Sequence, residues 1–379
     1  MKLSMIIVVV CVAVYLSDCQ PAPNSIDDLG TLGGDSSFGL GINEVGNVTG
    51  ASFISSGDPH SPALHAFRYV DGLGMIDVGT LPGGGLSEGQ GINNTILVVG
   101  VSFTGGPGGE PVHAFLADNT LSLTDLGDLG GGWSYAWDIN DRAQVTGEAA
   151  NDSLSNRAFL WTRSGGMRDL GSLGGSNSAG RSINENGQVA GESDTANNNA
   201  KRAFRYTEGA GLIDLGTLGG NNSSAYGINN SGQVVGESDT DTGIVKFTNK
   251  SKRLLTSPIA SASHKHAFLW TEGEGMIDLG DLSQSPTSTG RTYSIAYAIN
   301  NNGVVVGYSK LKDGSGRAFR WTREGGMIDI NSLLPRGSGW VLLDAYDIND
   351  KGQIVGTGLH NGVTRAYRYN PGITPRTKL

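Results

Sequence analysis

Residues 157–193 read RAFLWTRSGGMRDLGSLGGSNSAGRSINENGQVAGES, and variants of this stretch recur along the chain. Its fixed point is the dipeptide Ile-Asn, which ends at Asn43, Asn93, Asn140, Asn184, Asn229, Asn300 and Asn349. By subtraction, successive intervals are 50, 47, 44, 45, 71 and 49 residues. A cassette of this size holds about four short strands, and several in series build a solenoid, an array or a propeller.

Four strand-like pieces stand out in each cassette, bounded by Gly, Asn and Ser clusters. Strand a ends at Ile-Asn (178–184), strand b is the QVAG or QVVG segment (188–191, 233–236), strand c is AFLWT or AFRYT (158–162, 203–207), and strand d is GLIDLG (211–216). An N-x-x-G turn such as Asn184-Glu185-Asn186-Gly187 joins a to b. Asn can bond its own backbone there, and Gly takes positive φ without steric cost. Helical periodicity is confined to the first twenty residues. The chain reads as all-β.

A basic residue opens each strand c and an Asp follows 12 residues later: His65 and Asp77, His113 and Asp125, Arg157 and Asp169, Arg202 and Asp214, His266 and Asp278, Arg317 and Asp329. A hairpin folded about its sixth residue would set each pair directly opposite, which favours that register by ~0.2–1 kcal/mol. Metal ligation or acid–base chemistry is the competing reading. Arg in half of the pairs argues against it, since Arg neither ligates metal nor titrates. The pairs are expected to be structural.

The two ends of the repeat decide its closure. The seventh cassette reaches strand c at Arg365–Tyr369 and has no strand d. A surplus strand d, Ile26 to Gly34 (IDDLGTLGG), stands alone at the other end. An open stack would leave both ends frayed, whereas a ring uses the orphan to complete its last sheet. The expectation is a seven-bladed β-propeller of four-stranded antiparallel blades spanning 20–370, with Asp28 paired to Arg365. The remainder is an insertion at about 239–265 and a tail at 371–379.

Composition narrows the partners. Among 379 residues there are 60 glycines, 37% hydrophobic residues and a net charge of −9, with no basic surface for nucleic acid or anionic membrane. Residues 1–19 differ: Lys2, an apolar run from Met5 to Leu16, then Ser17-Asp18-Cys19. That run is too short to span a bilayer with margin and reads as a signal peptide, so the expected destination is extracellular. Both cysteines, Cys11 and Cys19, fall inside it. Sequons begin at Asn47, Asn93, Asn151, Asn221, Asn222, Asn229 and Asn249, and carry glycans only in a eukaryotic source.

Up-and-down blades put the a–b and c–d turns on one rim and the b–c and d-to-a connections on the other. Length variation is confined to the second rim, where binding on a rigid scaffold usually resides. Trp133 and Trp340, with Phe38 in the equivalent place, are the candidate ligand-binding aromatics there. The long b–c insertion carries Lys246, Lys250, Lys252 and Arg253. Its start, Asp239 to Gly243, resembles part of a calcium loop but lacks a third ligand and the distal Glu. No cofactor is expected, calcium being weakly supported, and no catalytic triad or zinc spacing stands out. The repeated DLGTLGG lacks the Gly-Lys-Ser/Thr and helix of a phosphate loop.

The stretches HAFLWTEGEGMIDLG (266–280) and DLGTLGGNNSSAYGINNSGQVVGES (214–238) resemble the HAF-type extracellular repeat over about residues 26–370. The resemblance implies an exported, propeller-like protein and supplies no activity or functional residues. Departures occur at His113-Ala-Phe-Leu-Ala-Asp and at Tyr367, which stands where other units have Phe. Three functional readings follow. The first is a secreted, monomeric, non-enzymatic propeller that binds a glycan or matrix component through its variable rim. The second is a polysaccharide hydrolase or lyase with its site at the channel mouth. The third is a structural matrix component.

Overall fold

A computed structural model describes residues 23–55, 63–104, 112–240, 264–283 and 292–372. The leader at 1–19, most of the insertion including its four basic residues, Gly243 of the calcium-like stretch, and residues 373–379 lie outside them. The described chain forms seven four-stranded antiparallel sheets. In the first blade strands a to d are Gly33–Ile42, Val48–Ile54, Leu64–Val70 and Gly74–Gly79. In the third they are Gly130–Ile139, Val145–Asn151, Asn156–Thr162 and Gly166–Asp169. No helix among the described residues is long and apolar enough to cross a membrane.

The seventh blade takes strands a to c from Trp340–Ile348, Ile354–His360 and Val363–Asn370, and its fourth strand is Ser25–Asp28 from the start of the chain. Ile26 faces Tyr369, Asp27 faces Arg368 and Asp28 faces Tyr367. The Leu29 amide donates to the Ala366 carbonyl at 3.1 Å, and the Leu29 side chain is buried. The Arg368 guanidinium holds Asp27 and Asp71, both at 2.8 Å, which ties the seventh blade to the first.

The core is distributed between blades. Phe67, Phe115, Phe159, Phe204, Phe268, Phe319 and Tyr367, one per blade, are fully buried. Tyr367 is accommodated because its hydroxyl donates to the Asp344 carbonyl at 2.8 Å, so the extra oxygen is not stranded. The departure in the second unit is absorbed too: Ala114 to Ala117 are all buried. A Ser on strand a seals each of six blade junctions. Ser178 Oγ, for example, accepts from Ala158 N at 2.9 Å and donates to the Gly171 carbonyl at 2.6 Å.

The twelve-residue pairs need one correction. Asp169 directly faces Phe159, not Arg157. The hairpin pivots about Ser164, one residue later than expected, which moves the register by two and keeps both side chains on one face. Arg157 therefore reaches Asp169 diagonally, Nε to Oδ2 at 3.7 Å. The other basic residues do likewise: Arg202–Asp214 at 4.0 Å, Arg317–Asp329 at 3.8 Å and His65–Asp77 at 2.9 Å. Asp28 receives Arg365 at 4.0 Å and His360 more closely, at 2.8 Å. The same Asp has a second task, since Asp169 Oδ1 accepts the Gly171 amide at 2.7 Å and Gly171 sits at φ +86°. That bond accounts for the recurrence of Asp-Leu-Gly.

Candidate functional site

The Ile-Asn turns meet at the axis. Each Asn folds its own turn: Asn43 Oδ1 accepts the amides of Val45, Gly46 and Asn47 at 2.8 to 3.1 Å. Its Nδ2 is thereby left to donate outward, and it reaches the Asn93 carbonyl of the next blade at 2.9 Å. Asn93 passes to Asn140, Asn140 to Asn184, Asn184 to Asn229, Asn229 to Asn300, Asn300 to Asn349, and Asn349 back to Asn43, all at 2.9 to 3.1 Å. A second circle runs through the next residue, whose amide donates to the side chain in the following blade: Glu44 to Asn94, Asn94 to Asp141, Asp141 to Glu185, and so round to Asp350 and Glu44. Three sequon asparagines, Asn47, Asn93 and Asn229, are buried in or beside these circles.

Just inside the circles, strand a carries a β-bulge in every blade, between the residues four and two before the Asn. A bulge leaves one residue out of the ladder and re-aims its side chain. Here that residue is Leu40, Gln90, Trp137, Arg181, Tyr226, Tyr297 or Tyr346, and all seven line a central cavity of about 370 Å³. The kink brings strand a so close to strand b that a Cβ at Gly147 would overlap the Tyr135 carbonyl. Glycine holds the matching place in all seven blades, hence the recurring Q-V-x-G motif.

The cavity wall is aromatic on one side and charged on the other. Tyr297 packs against Tyr226 at 6.0 Å and against Tyr346 at 5.0 Å between ring centroids, and Tyr135 stacks on Trp137 at 5.3 Å. The Arg181 guanidinium lies 4.5 Å over the Trp137 ring and bridges Glu148 at 3.3 Å and Glu192 at 3.0 Å. Burial works against the guanidinium's charge, but the two carboxylates outweigh it and hold Arg181 above its ordinary pKa. Glu192 is held down by Arg181 despite its own burial, and also receives Lys201 at 3.2 Å. Glu237 is matched by Lys265 at 2.6 Å.

Asp138, Asp347, Glu88 and Asp344, at the bulge and just beyond it, have no ion pair among the described residues. Asp138 and Asp347 are pushed up to about 6 and about 7 by burial, although each accepts main-chain amides, Ile183 N and Ile42 N respectively at 2.9 Å. Glu88 is raised by burial and receives the Gln90 amide at 3.2 Å. Asp344 is pushed up to about 6 by burial alone. Glu88 and Asp344 occupy the same level as Tyr135, two residues nearer the variable rim than the bulge. A smaller cavity of about 170 Å³ lies between the third and fourth blades, lined by Glu148, Glu192 and Lys201 among others.

The aromatics singled out from the sequence do not form one site. Phe38 faces Ala51, as Tyr135 faces Glu148 and Asp344 faces Thr357, so Phe38 belongs to the channel level of Asp344. Trp133 lies two residues further out, half-buried in the irregular start of its strand. Trp340 is four residues out from Asp344 and is 8% exposed, stacked on His360 at 4.6 Å and edge-on to Tyr367. Their expected equivalence fails because they stand at different distances from the Ile-Asn turn: by subtraction Phe38 is 5 residues before Asn43, Trp133 is 7 before Asn140 and Trp340 is 9 before Asn349. The channel residues were passed over in the sequence, yet a signal existed. Three places before each Asn, between residues that are mostly Gly or Ala, large side chains alternate freely: Trp137, Arg181, Tyr226, Tyr297, Tyr346.

No family model and no curated protein matches the chain. Solved structures do. The puromycin hydrolase structure aligns with TM-score 0.52 at 11% identity, over 91% of this chain and 55% of that one. YCF48 bound to D1 peptide aligns with TM-score 0.48 at 11% identity, over 95% and 99% of the two chains. A gluconolactonase from Xanthomonas campestris aligns with TM-score 0.38 at 8% identity, over 94% and 96%. At these identities the likeness extends to the fold alone. The chain is a seven-bladed β-propeller, and its neighbours in fold do unrelated things.

Proposed function

We propose that this chain is an exported HAF-type repeat protein that binds an extracellular glycan without cleaving it, in the central channel at the level of the bulges. The observation that carries the reading is the continuous wall of Tyr226, Tyr297 and Tyr346 facing Trp137 across the axis. Flat aromatic faces cover the apolar faces of sugar rings, while nearby amides and carboxylates take their hydroxyls. The bulge fixes each of these side chains from a rigid inner strand, so little ordering is left for binding to pay.

The first experiment is a glycan array on the purified chain, followed by calorimetry on any hit. Tyr297→Ala, which removes the middle ring of the wall, is expected to weaken binding about tenfold or more. Silence across all sugars, or a hit indifferent to Tyr297, defeats the reading. A polysaccharide-cleaving activity is the second reading, favoured by Asp344, whose raised pKa suits a general acid. Release of new reducing ends that stops in Asp344→Asn would replace the first reading with the second.

A further inference from the structure

We infer that the channel holds a subsite for a primary ammonium group, in which Asp344 and Thr357 receive a ligand amine beside the rings of Tyr297 and Tyr346. This deepens the channel-binding reading and rests on it. The argument begins with what is left over. Glu148, Glu192 and Glu237 at this mouth each have a basic partner. Among the described residues the Asp344 carboxylate has no hydrogen bond or ion pair. The Tyr367 hydroxyl uses only its main-chain carbonyl.

The residue directly opposite Asp344 across the strands is Thr357. Thr357 is 6% exposed, and its Oγ1 is a buried oxygen with no hydrogen-bond partner. Two unmatched polar groups facing each other across the strands, two residues from the bulge, are a costly arrangement for a blade that needs nothing more than packing. Other blades manage without it: the facing pairs at this level are Phe38 with Ala51 and Ile295 with Tyr308.

The chemistry that satisfies both groups is narrow. A carboxylate accepts only, so its partner must donate, and an ammonium brings three donors and a positive charge. Aromatic faces favour the same charge. Tyr297 and Tyr346 are close enough that Asp344 adds to the effect of burial in raising their hydroxyl pKa values, Tyr346 to about 12. A neutral sugar hydroxyl offers one proton and no charge. A calcium ion would want six to eight oxygens, and the described residues hold no group of three or more His, Cys, Asp or Glu placed to supply them. The ammonium could belong to an amino sugar or to a free polyamine.

The test is calorimetry on the full chain with three probes: a glucosamine tetramer, its fully N-acetylated counterpart, and spermidine. Each is run against the native chain, Asp344→Asn and Thr357→Val, with thermal melts to verify folding. Expected is a preference of about tenfold or more for the free amine over the acetylated tetramer, lost in Asp344→Asn and reduced in Thr357→Val. Should Asp344→Asn fail to fold, Thr357→Val carries the comparison. Spermidine binding that depends on Asp344, with no sugar bound, would support the ammonium subsite and defeat the glycan reading. Equal binding of both tetramers in all three proteins would overturn the subsite and leave the glycan reading standing. No binding of any amine probe overturns the subsite outright.

Discussion

The Asn349 side-chain amide donates to the main-chain carbonyl of Asn43 at 3.0 Å, across 306 residues of sequence. The bond repeats the one each blade makes to the next, so within the asparagine circle the junction between the two ends of the chain is equivalent to the other six. Asn349→Ala removes that donor and also the Oδ1 acceptor for the Gln353 amide, at a site only 2% exposed. A loss of about 2–3 kcal/mol in urea unfolding is expected, because buried main-chain groups go unmatched. Asn301→Ala loses only exposed bonds, the one its side-chain amide donates to Asp350 and the one its Oδ1 accepts from the Asn230 main-chain amide, and should cost under about 1 kcal/mol.

Deleting residues 23–29 should be far more damaging. It removes the fourth strand of the seventh blade, the buried Leu29 side chain and the Asp27 partner of Arg368. The combined loss is on the order of 5 kcal/mol. A permutant that carries residues 23–30 after Gly372 instead should melt within a few degrees of the native chain. A deletion that melts like the native protein would contradict closure by this strand.

Gly147→Ala probes the bulge. Its Cβ would run into the Tyr135 carbonyl and the Phe159 ring, neither of which can withdraw. The expected cost is about 3 kcal/mol or more, with weakened ligand binding because Trp137 is re-aimed. Gly165→Ala is the control: it is exposed, and its new methyl would meet only the movable Thr162 hydroxyl at 2.9 Å. That variant should be nearly neutral.

Asp344 gives stability a pH dependence of known sign. Its folded pKa, about 6, lies above the unfolded value near 3.8, so the folded state holds the proton more tightly. Below about pH 4 both states are protonated and no penalty exists. As pH rises through 6 the penalty grows, then levels at up to about 3 kcal/mol. Asp344→Asn should therefore stabilise the chain at pH 8 and leave it unchanged at pH 3.5, measured by chemical unfolding at both. Equal effects at the two values would show that the carboxyl titrates normally.

The strands were legible because each rests on a local signal: N-x-x-G for the a–b turn, Asp-Leu-Gly for the exit from strand d, and Ala-Phe for the buried middle of strand c. Closure was legible from arithmetic, one strand short at one end and one over at the other. The pairing of Arg157 with Asp169 came through, while its register did not, since pivots at Arg163 and Ser164 put the same residues on the same face. The channel was the hardest to see. A bulge has no composition of its own, and Arg181 looks like any surface arginine until a neighbouring blade sets Trp137 beneath it. Trp340 misled for the converse reason: an aromatic after a Gly-rich connector suggests exposure, and only the fold places His360 against it.

The sheet made from Ser25–Asp28 and the last three strands has a consequence for biosynthesis. A ribosome releases that segment well before its hydrogen-bonding partner, Val363–Asn370. Until that partner appears the nascent polypeptide must carry a strand with nowhere to dock, while six earlier units are free to fold as they emerge. Cooperative locking of the whole wheel is thus deferred until Val363–Asn370 clears the exit tunnel.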